Sequence, residues 1–158
     1  MKKLTSNINS HPSTEVTTCN CRKKEECPLS GQCLKSNLVY QAEVRCQGKR
    51  ETYVGLTSTD FKTRHRNHKN SFNDPKKKLS TELSKYIWDI KDKGNNFEIH
   101  WKILCHAKPY SNITKRCNLC LAEKYFIICK PEAASLNKRS ELISKCRHQA
   151  KFLIGNVT

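Results

Sequence analysis

At 158 residues the chain is long enough to bury one core and too short for two substantial domains, so one site is expected. Its 30 Lys and Arg against 14 Asp and Glu give a formal charge of +16, which favours a polyanion; nucleic acid fits because each neutralised phosphate releases counterions. No run of about 18 apolar residues suggests a membrane span, and no apolar segment follows Met1-Lys2-Lys3 as in a signal peptide, so no membrane partner is expected and the expected compartment is nuclear or cytoplasmic. In that reducing setting the clustered ones among the ten cysteines are expected to hold metal rather than form disulfides, whereas secretion would reverse the reading to a disulfide-rich basic factor.

Residues 1–18 are polar, rich in Ser, Thr and Asn, and read as a flexible lead-in. Cys19, Cys21, Cys27 and Cys33 follow among turn-forming and charged residues, making 19–36 a cysteine-rich knuckle. From Leu38 to Arg45 apolar and polar residues alternate after Val39, and a Gln47-Gly48 turn separates this strand from the short apolar pair Tyr53-Val54, which predicts a β-hairpin. Asp60 can cap a helix starting near Phe61, with Phe61, Arg64, His65, His68 and Phe72 on one face. After Asn73-Asp74-Pro75 and a lysine run at 76–78, Ser80 or Thr81 can cap a second helix with the stripe Leu83, Tyr86, Ile87 and Ile90. Lys93-Gly94-Asn95-Asn96 ends it, and 97–103 then alternates as a half-buried strand does. Residues 117–129 read as a third helix stopped at Lys130-Pro131, and Ser140 can cap a fourth running to about Phe152. The order β-β-α-α-β-α-α predicts a small α/β domain over 37–158, with a central three-stranded antiparallel sheet flanked by helices.

That order of elements, together with five separate positions, resembles the GIY-YIG nuclease family. The first signature falls on Leu38-Val39-Tyr40 and the second on Tyr53-Val54-Gly55, putting two tyrosines on one hairpin. Arg64 and His68 lie one helical turn apart, Glu123 sits on the third helix, and Asn137 follows in Leu136-Asn137-Lys138. Leu38 stands where the family has Gly, a departure that leaves the tyrosines in place. Longer stretches at 19–22, 27–29, 80–88, 108–111, 116–120 and 136–142 resemble the endonuclease module of Penelope-like retroelements, from about Cys19 onward.

The resemblance implies an endonuclease dependent on Mg²⁺ or Mn²⁺ that nicks target DNA, freeing a 3′ hydroxyl for priming by the reverse transcriptase of a full-length element. It implies Glu123 as the ligand of that metal, since a lone carboxylate with waters and phosphate oxygens suits a hard, hydrated cation. Arg64 would grip the scissile phosphate with its charged fork. Tyr40 would be the base or water-orienting group, Tyr53 and His68 would position the water or relay its proton, and Asn137 would brace the site. Taken singly, each has a plainer reading: the tyrosines as cross-strand packing, Arg64 and His68 as a solvated phosphate-contacting face, Glu123 as a helix surface charge, Asn137 as a turn residue. A second function therefore stays open: a catalytically inactive, zinc-stabilised nucleic-acid-binding protein derived from such a module.

The cysteines offer two zinc sets. Cys117 and Cys120 have CxxC spacing, which Cys146 and His148 can complete from the fourth helix; Cys19, Cys21, Cys27 and Cys33 form the other. Cys46, Cys105 and Cys129 are expected to be small buried apolar residues, and His65, His100 and His106 ordinary surface or strand residues.

Overall fold

The computed structural model describes residues 17–138. Their order is β1 (Leu38–Cys46), β2 (Lys49–Thr57), α1 (Phe61–Asn73), α2 (Glu82–Asp92), β3 (Glu98–His106) and α3 (Asn118–Cys129), with short 3₁₀ turns at Lys24–Glu26, Pro75–Lys77 and Pro131–Ala133. This is a small α/β domain with a three-stranded antiparallel sheet and three helices. The expected fourth helix, with Cys146 and His148, lies outside the described residues.

β1 is the middle strand of the order β2-β1-β3. Gln47 and Gly48 turn the hairpin with φ of 49° and 75°, the left-handed pair whose twist matches that of two-residue hairpins. β2 is longer than the apolar pair in the sequence suggests. Its first residues, Lys49 and Arg50, are exposed beside the hairpin turn whereas 52–55 are buried, so the polar start leaves no alternating pattern to read. Between β1 and β3, Val39 pairs with Cys105 but Tyr40 with Ile103, so Leu104 is the extra residue of a bulge beside Tyr40.

The caps are those the sequence suggests. The Asp60 carboxylate accepts from the Thr63 N–H at 2.9 Å, and the Thr81 hydroxyl from the Ser84 N–H at 3.0 Å. The sheet is covered on both faces, so β1 is buried almost throughout. Tyr40, Ala42, Val44 and Tyr53 pack against α1, α2 and the knuckle residues Cys27, Leu29 and Cys33; Val39 and Val54 pack on the other side with Leu119, Cys120 and Ile127 of α3. The knuckle is thus part of the core. It also caps α1: the Phe61 N–H donates to the Lys35 carbonyl at 2.9 Å and the Lys62 N–H to the Cys33 carbonyl at 2.7 Å, satisfying donors that a first turn leaves open.

Cys46 is buried as expected and Cys105 partly so, but Cys129 is exposed. It stands about two and a half turns beyond Cys120 and so faces away from the buried side of α3. Among the described residues no helix is long and apolar enough to cross a membrane.

Candidate active site

Tyr40 projects from the middle of β1 toward α1 and is fully buried. The Arg64 Nε–H donates to its Oη at 3.1 Å, and the same oxygen lies 2.6 Å from His68 Nε2. Burial, with Arg64 and His65 adding to it, pushes the His68 pKa down to about 3, so the imidazole is neutral. Burial and then the Tyr53 phenol push Tyr40 up, against the opposing pull of Arg64. With both groups neutral, the Tyr40 hydroxyl and His68 Nε2 share one hydrogen bond, whose donor is set by the imidazole tautomer. Burial would weaken the charge on Arg64, but the Tyr40 and Tyr53 phenols outweigh it and raise its pKa.

Gly55 makes room for this arrangement. It is the register partner of Tyr40, and a Cβ there would stand 2.5 Å from Tyr40 Cζ and 3.0 Å from Cε2. A glycine inside a strand often marks such a close approach, the one sequence signal that could have assigned Gly55 a role beyond its place in a signature. Trp101 of β3 closes the other side, with ring centroids 5.9 Å from Tyr40 and 5.4 Å from His68. Its strand alternation gives no hint of that contact. His65, expected to be ordinary, stacks on Phe61 at 5.8 Å and meets Trp101 edge-on at 5.3 Å; burial and then Lys69 bring its pKa down to about 4.

A cleft of about 810 Å³ opens at the β2 edge, where α1 and α3 approach from opposite faces of the sheet. Tyr53, Arg64, His68, Glu123 and Asn137 all line it, whereas Tyr40 lies behind this wall. Arg64, Lys77, Lys124 and Lys138 face two carboxylates, Glu82 and Glu123, so the lining is net positive. Glu82 is ion-paired to Lys85 at 3.0 Å and to Lys138 at 3.5 Å. Glu123 is 9% exposed, a depth at which a carboxylate requires compensating partners.

Asn137 clamps the backbone next to Tyr53. Its Oδ1 accepts from the Val54 N–H and its Nδ2 donates to the Val54 carbonyl, both at 2.8 Å. The Leu136 N–H also donates to the Thr52 carbonyl at 2.8 Å, so the segment after α3 pairs along the open edge of β2.

The thiols of Cys19, Cys21, Cys27 and Cys33 lie within 4.8 Å of one another. Cys33 Sγ is 3.5 Å from Cys19 Sγ and 3.6 Å from Cys21 Sγ. A tetrahedral ion roughly 2.3 Å from each sulfur would hold them about 3.8 Å apart, so this cluster could hold zinc. The tight Cys19-Asn20-Cys21 spacing is accommodated by the Cys21 N–H, which donates to Cys19 Sγ at 3.4 Å. Burial pushes the Cys27 thiol up, but the N–H groups of Gly31 and Leu29 and the neighbouring thiols outweigh it and bring it down to about 6. Burial and the adjacent thiols push Cys33 up to about 12. Cys27 is therefore readied as a thiolate, whereas Cys33 resists ionisation unless a cation stands among the sulfurs. Of the other set, Cys117 is the N-cap of α3 and Cys120 lines the cleft one turn before Glu123; Cys146 and His148 lie outside the described residues.

Fold and site together define an α/β domain with a basic, polar cleft at its sheet edge and a four-cysteine knuckle on the helix that supplies Arg64 and His68. Neither a family model, a curated protein nor a solved structure matches the chain.

Proposed function

We propose that the chain is a metal-dependent DNA endonuclease of the GIY-YIG type, nicking target DNA as in retroelement integration. The observation that carries the reading is the meeting of Tyr53, Arg64, His68 and Glu123 on one basic cleft, with Tyr40 bonding both Arg64 and His68 from behind. Coincidence of surface charges and core tyrosines does not require any of these side chains to share a wall.

In this reading Arg64 holds the scissile phosphate. Tyr40 takes its Nε–H and Tyr53 a further donor, and the forked guanidinium carries five N–H donors in all, the geometry that suits phosphate oxygens. Tyr40 is a positioning residue: buried and protonated, it sets Arg64 and His68 without touching substrate. Tyr53 is the phenol on the cleft wall, and with neutral His68 it orients the attacking water. The water oxygen bonds to phosphorus as its proton passes to solvent, the P–O3′ bond breaks, and its electron pair leaves with the 3′ oxygen, which takes a proton from solvent water to become the hydroxyl a reverse transcriptase can extend. Glu123 would hold Mg²⁺ or Mn²⁺, since one cleft carboxylate with room for water suits a hard cation, and the ion would supply charge stabilisation at the phosphate. Zinc at Cys19, Cys21, Cys27 and Cys33 would be structural, fixing the start of α1.

The cysteine cluster and the charge of +16 also support the second reading, a zinc-stabilised nucleic-acid-binding protein without catalysis. Supercoiled plasmid incubated with Mg²⁺, Mn²⁺ or chelator separates the two. The nuclease converts it to open circles only with divalent metal, and Glu123→Gln abolishes conversion while salt-dependent binding persists. Wild type that binds but never nicks with either metal leaves the second reading standing; full nicking by Glu123→Gln removes Glu123 as the ligand.

A further inference from the structure

We infer that Leu79 is a wedge that inserts between base pairs of duplex DNA lying over the cleft, an inference that rests on the DNA-binding part of the reading above. Leu79 is 72% exposed. Of the large exposed apolar residues, Leu79, Ile113 and Tyr125, it alone lines the cleft among the described residues. A leucine turned to water at the rim of a basic cleft gains nothing from the fold itself.

The loop that carries it is anchored. Asp74 caps the 3₁₀ turn Pro75–Lys77 by accepting from the Lys76 N–H at 3.0 Å. The Lys77 carbonyl accepts from the Ser80 N–H at 3.0 Å and from the Ser84 hydroxyl at 3.1 Å, and Lys78 is ion-paired with Asp92 at 3.1 Å. Leu79 is therefore held out from a fixed base, and the exposed Lys76 and Lys77 precede it.

Exposed lysines beside one apolar projection fit duplex DNA. The ammonium groups neutralise phosphates while the leucine enters a base step, partly unstacking and kinking the duplex. Such a kink would form over the cleft that Arg64 also lines. It also favours pyrimidine–purine steps, which unstack most easily.

The test needs no cleavage. Relaxed plasmid is bound by the protein in buffer without Mg²⁺ or Mn²⁺ and without chelator, treated with a metal-independent topoisomerase and deproteinised. A wedge untwists the bound DNA, so wild type is expected to leave a linking-number change that grows with protein. Leu79→Ala is expected to lose that change yet keep its thermal melt and its salt-dependent gel shift, because Lys76 and Lys77 remain. Wild type that binds plasmid without changing its linking number, or Leu79→Ala that retains the full change, overturns the proposal and leaves the nuclease reading untouched. A protein that shifts linking number but never nicks with Mg²⁺ or Mn²⁺ loses the nuclease reading and keeps the wedge; absence of any DNA binding removes both.

Discussion

In Gly55→Ala the new methyl would stand 2.5 Å from Tyr40 Cζ and 3.0 Å from Cε2, where touching carbons prefer about 3.5–4.0 Å. The obstructed atoms cannot swing away: the ring is fully buried, meets Phe61 edge-on at 5.2 Å, and is bonded through Oη to His68 and Arg64. The ring must shift by about 1 Å, enough to carry Oη out of hydrogen-bonding reach of His68. Overpacking of this kind costs about 1–3 kcal/mol and the lost bond about 0.5–1.5 kcal/mol; the smaller entropy loss of Ala offsets about 0.5–1 kcal/mol, leaving a net destabilisation of about 0.5–4 kcal/mol. Denaturant unfolding of wild type, Gly55→Ala, Tyr40→Ala and the double variant measures it. Once Tyr40 is truncated the methyl has space, so Gly55→Ala should be neutral or stabilising in that background, which makes the coupling at least as large as that net loss. Additive energies, or a Gly55→Ala protein that unfolds with wild type, would refute the close packing of Tyr40 on Gly55.

His68 binds its proton less readily in the folded chain, at about 3, than at the ordinary 6.5, so the stability it contributes is complete above about pH 6.5 and is lost as pH falls toward 3. At 1.36 kcal/mol per tenfold change in proton affinity the whole interval amounts to roughly 5 kcal/mol; thermal melts between pH 7 and 4 should fall, and His68→Gln should flatten them in part, since His65 shifts the same way. Metal analysis should find one zinc per chain from Cys19, Cys21, Cys27 and Cys33, and two if Cys117, Cys120, Cys146 and His148 form a second site; a metal-free protein whose melt is unchanged by chelator and by Cys33→Ser would remove the structural zinc. Asn137→Ala deletes both bonds to Val54, and should cost about 1–3 kcal/mol and speed exchange of the Val54 amide hydrogen, whereas unchanged exchange would show that the clamp is dispensable.

Much of the fold was legible because its signals are local. Asp60 and Thr81 announce helices by their own side-chain bonds, and the α2 stripe and the β3 alternation follow from one covered face each. β2 was legible only where it turns inward, at Tyr53 and Val54; its polar start, exposed beside the hairpin turn, leaves no alternation for sequence periodicity to register. Site residues on one helix, such as Arg64 and His68, could be paired by spacing alone. That Glu123 from the opposite layer reaches the same cleft depends on where α3 lies along β2, which no local pattern encodes. The exposure of Cys129 was misjudged for a related reason: composition suggested burial, but the side of α3 on which it falls is decided by the packing of Leu119, Glu123 and Ile127.

The two tyrosines of the hairpin, interchangeable as cross-strand aromatics in the sequence, are separated by depth in the structure. Tyr40 is sealed between Gly55, Phe61 and Trp101, its hydroxyl bonded to both His68 and Arg64. Burial makes its phenolate costly, so a proposed nuclease built on this cleft would not draw on Tyr40 as the base at neutral pH. Tyr53 faces the cleft next to Arg64, and the Asn137 clamp fixes the backbone that follows it. Removal of each hydroxyl should therefore act differently. Tyr40→Phe leaves Arg64 and His68 without their shared partner and should lower both stability and nicking, by about 1–3 kcal/mol in the unfolding experiment. Tyr53→Phe should lower nicking with a smaller loss of stability, since Tyr53 is 8% exposed where Tyr40 is fully buried. If Tyr40→Phe nicks at the wild-type rate with its melt unchanged, the bonded chain from Arg64 through Tyr40 to His68 does not organise the site; if Tyr53→Phe nicks normally, the water must be oriented by His68 without it.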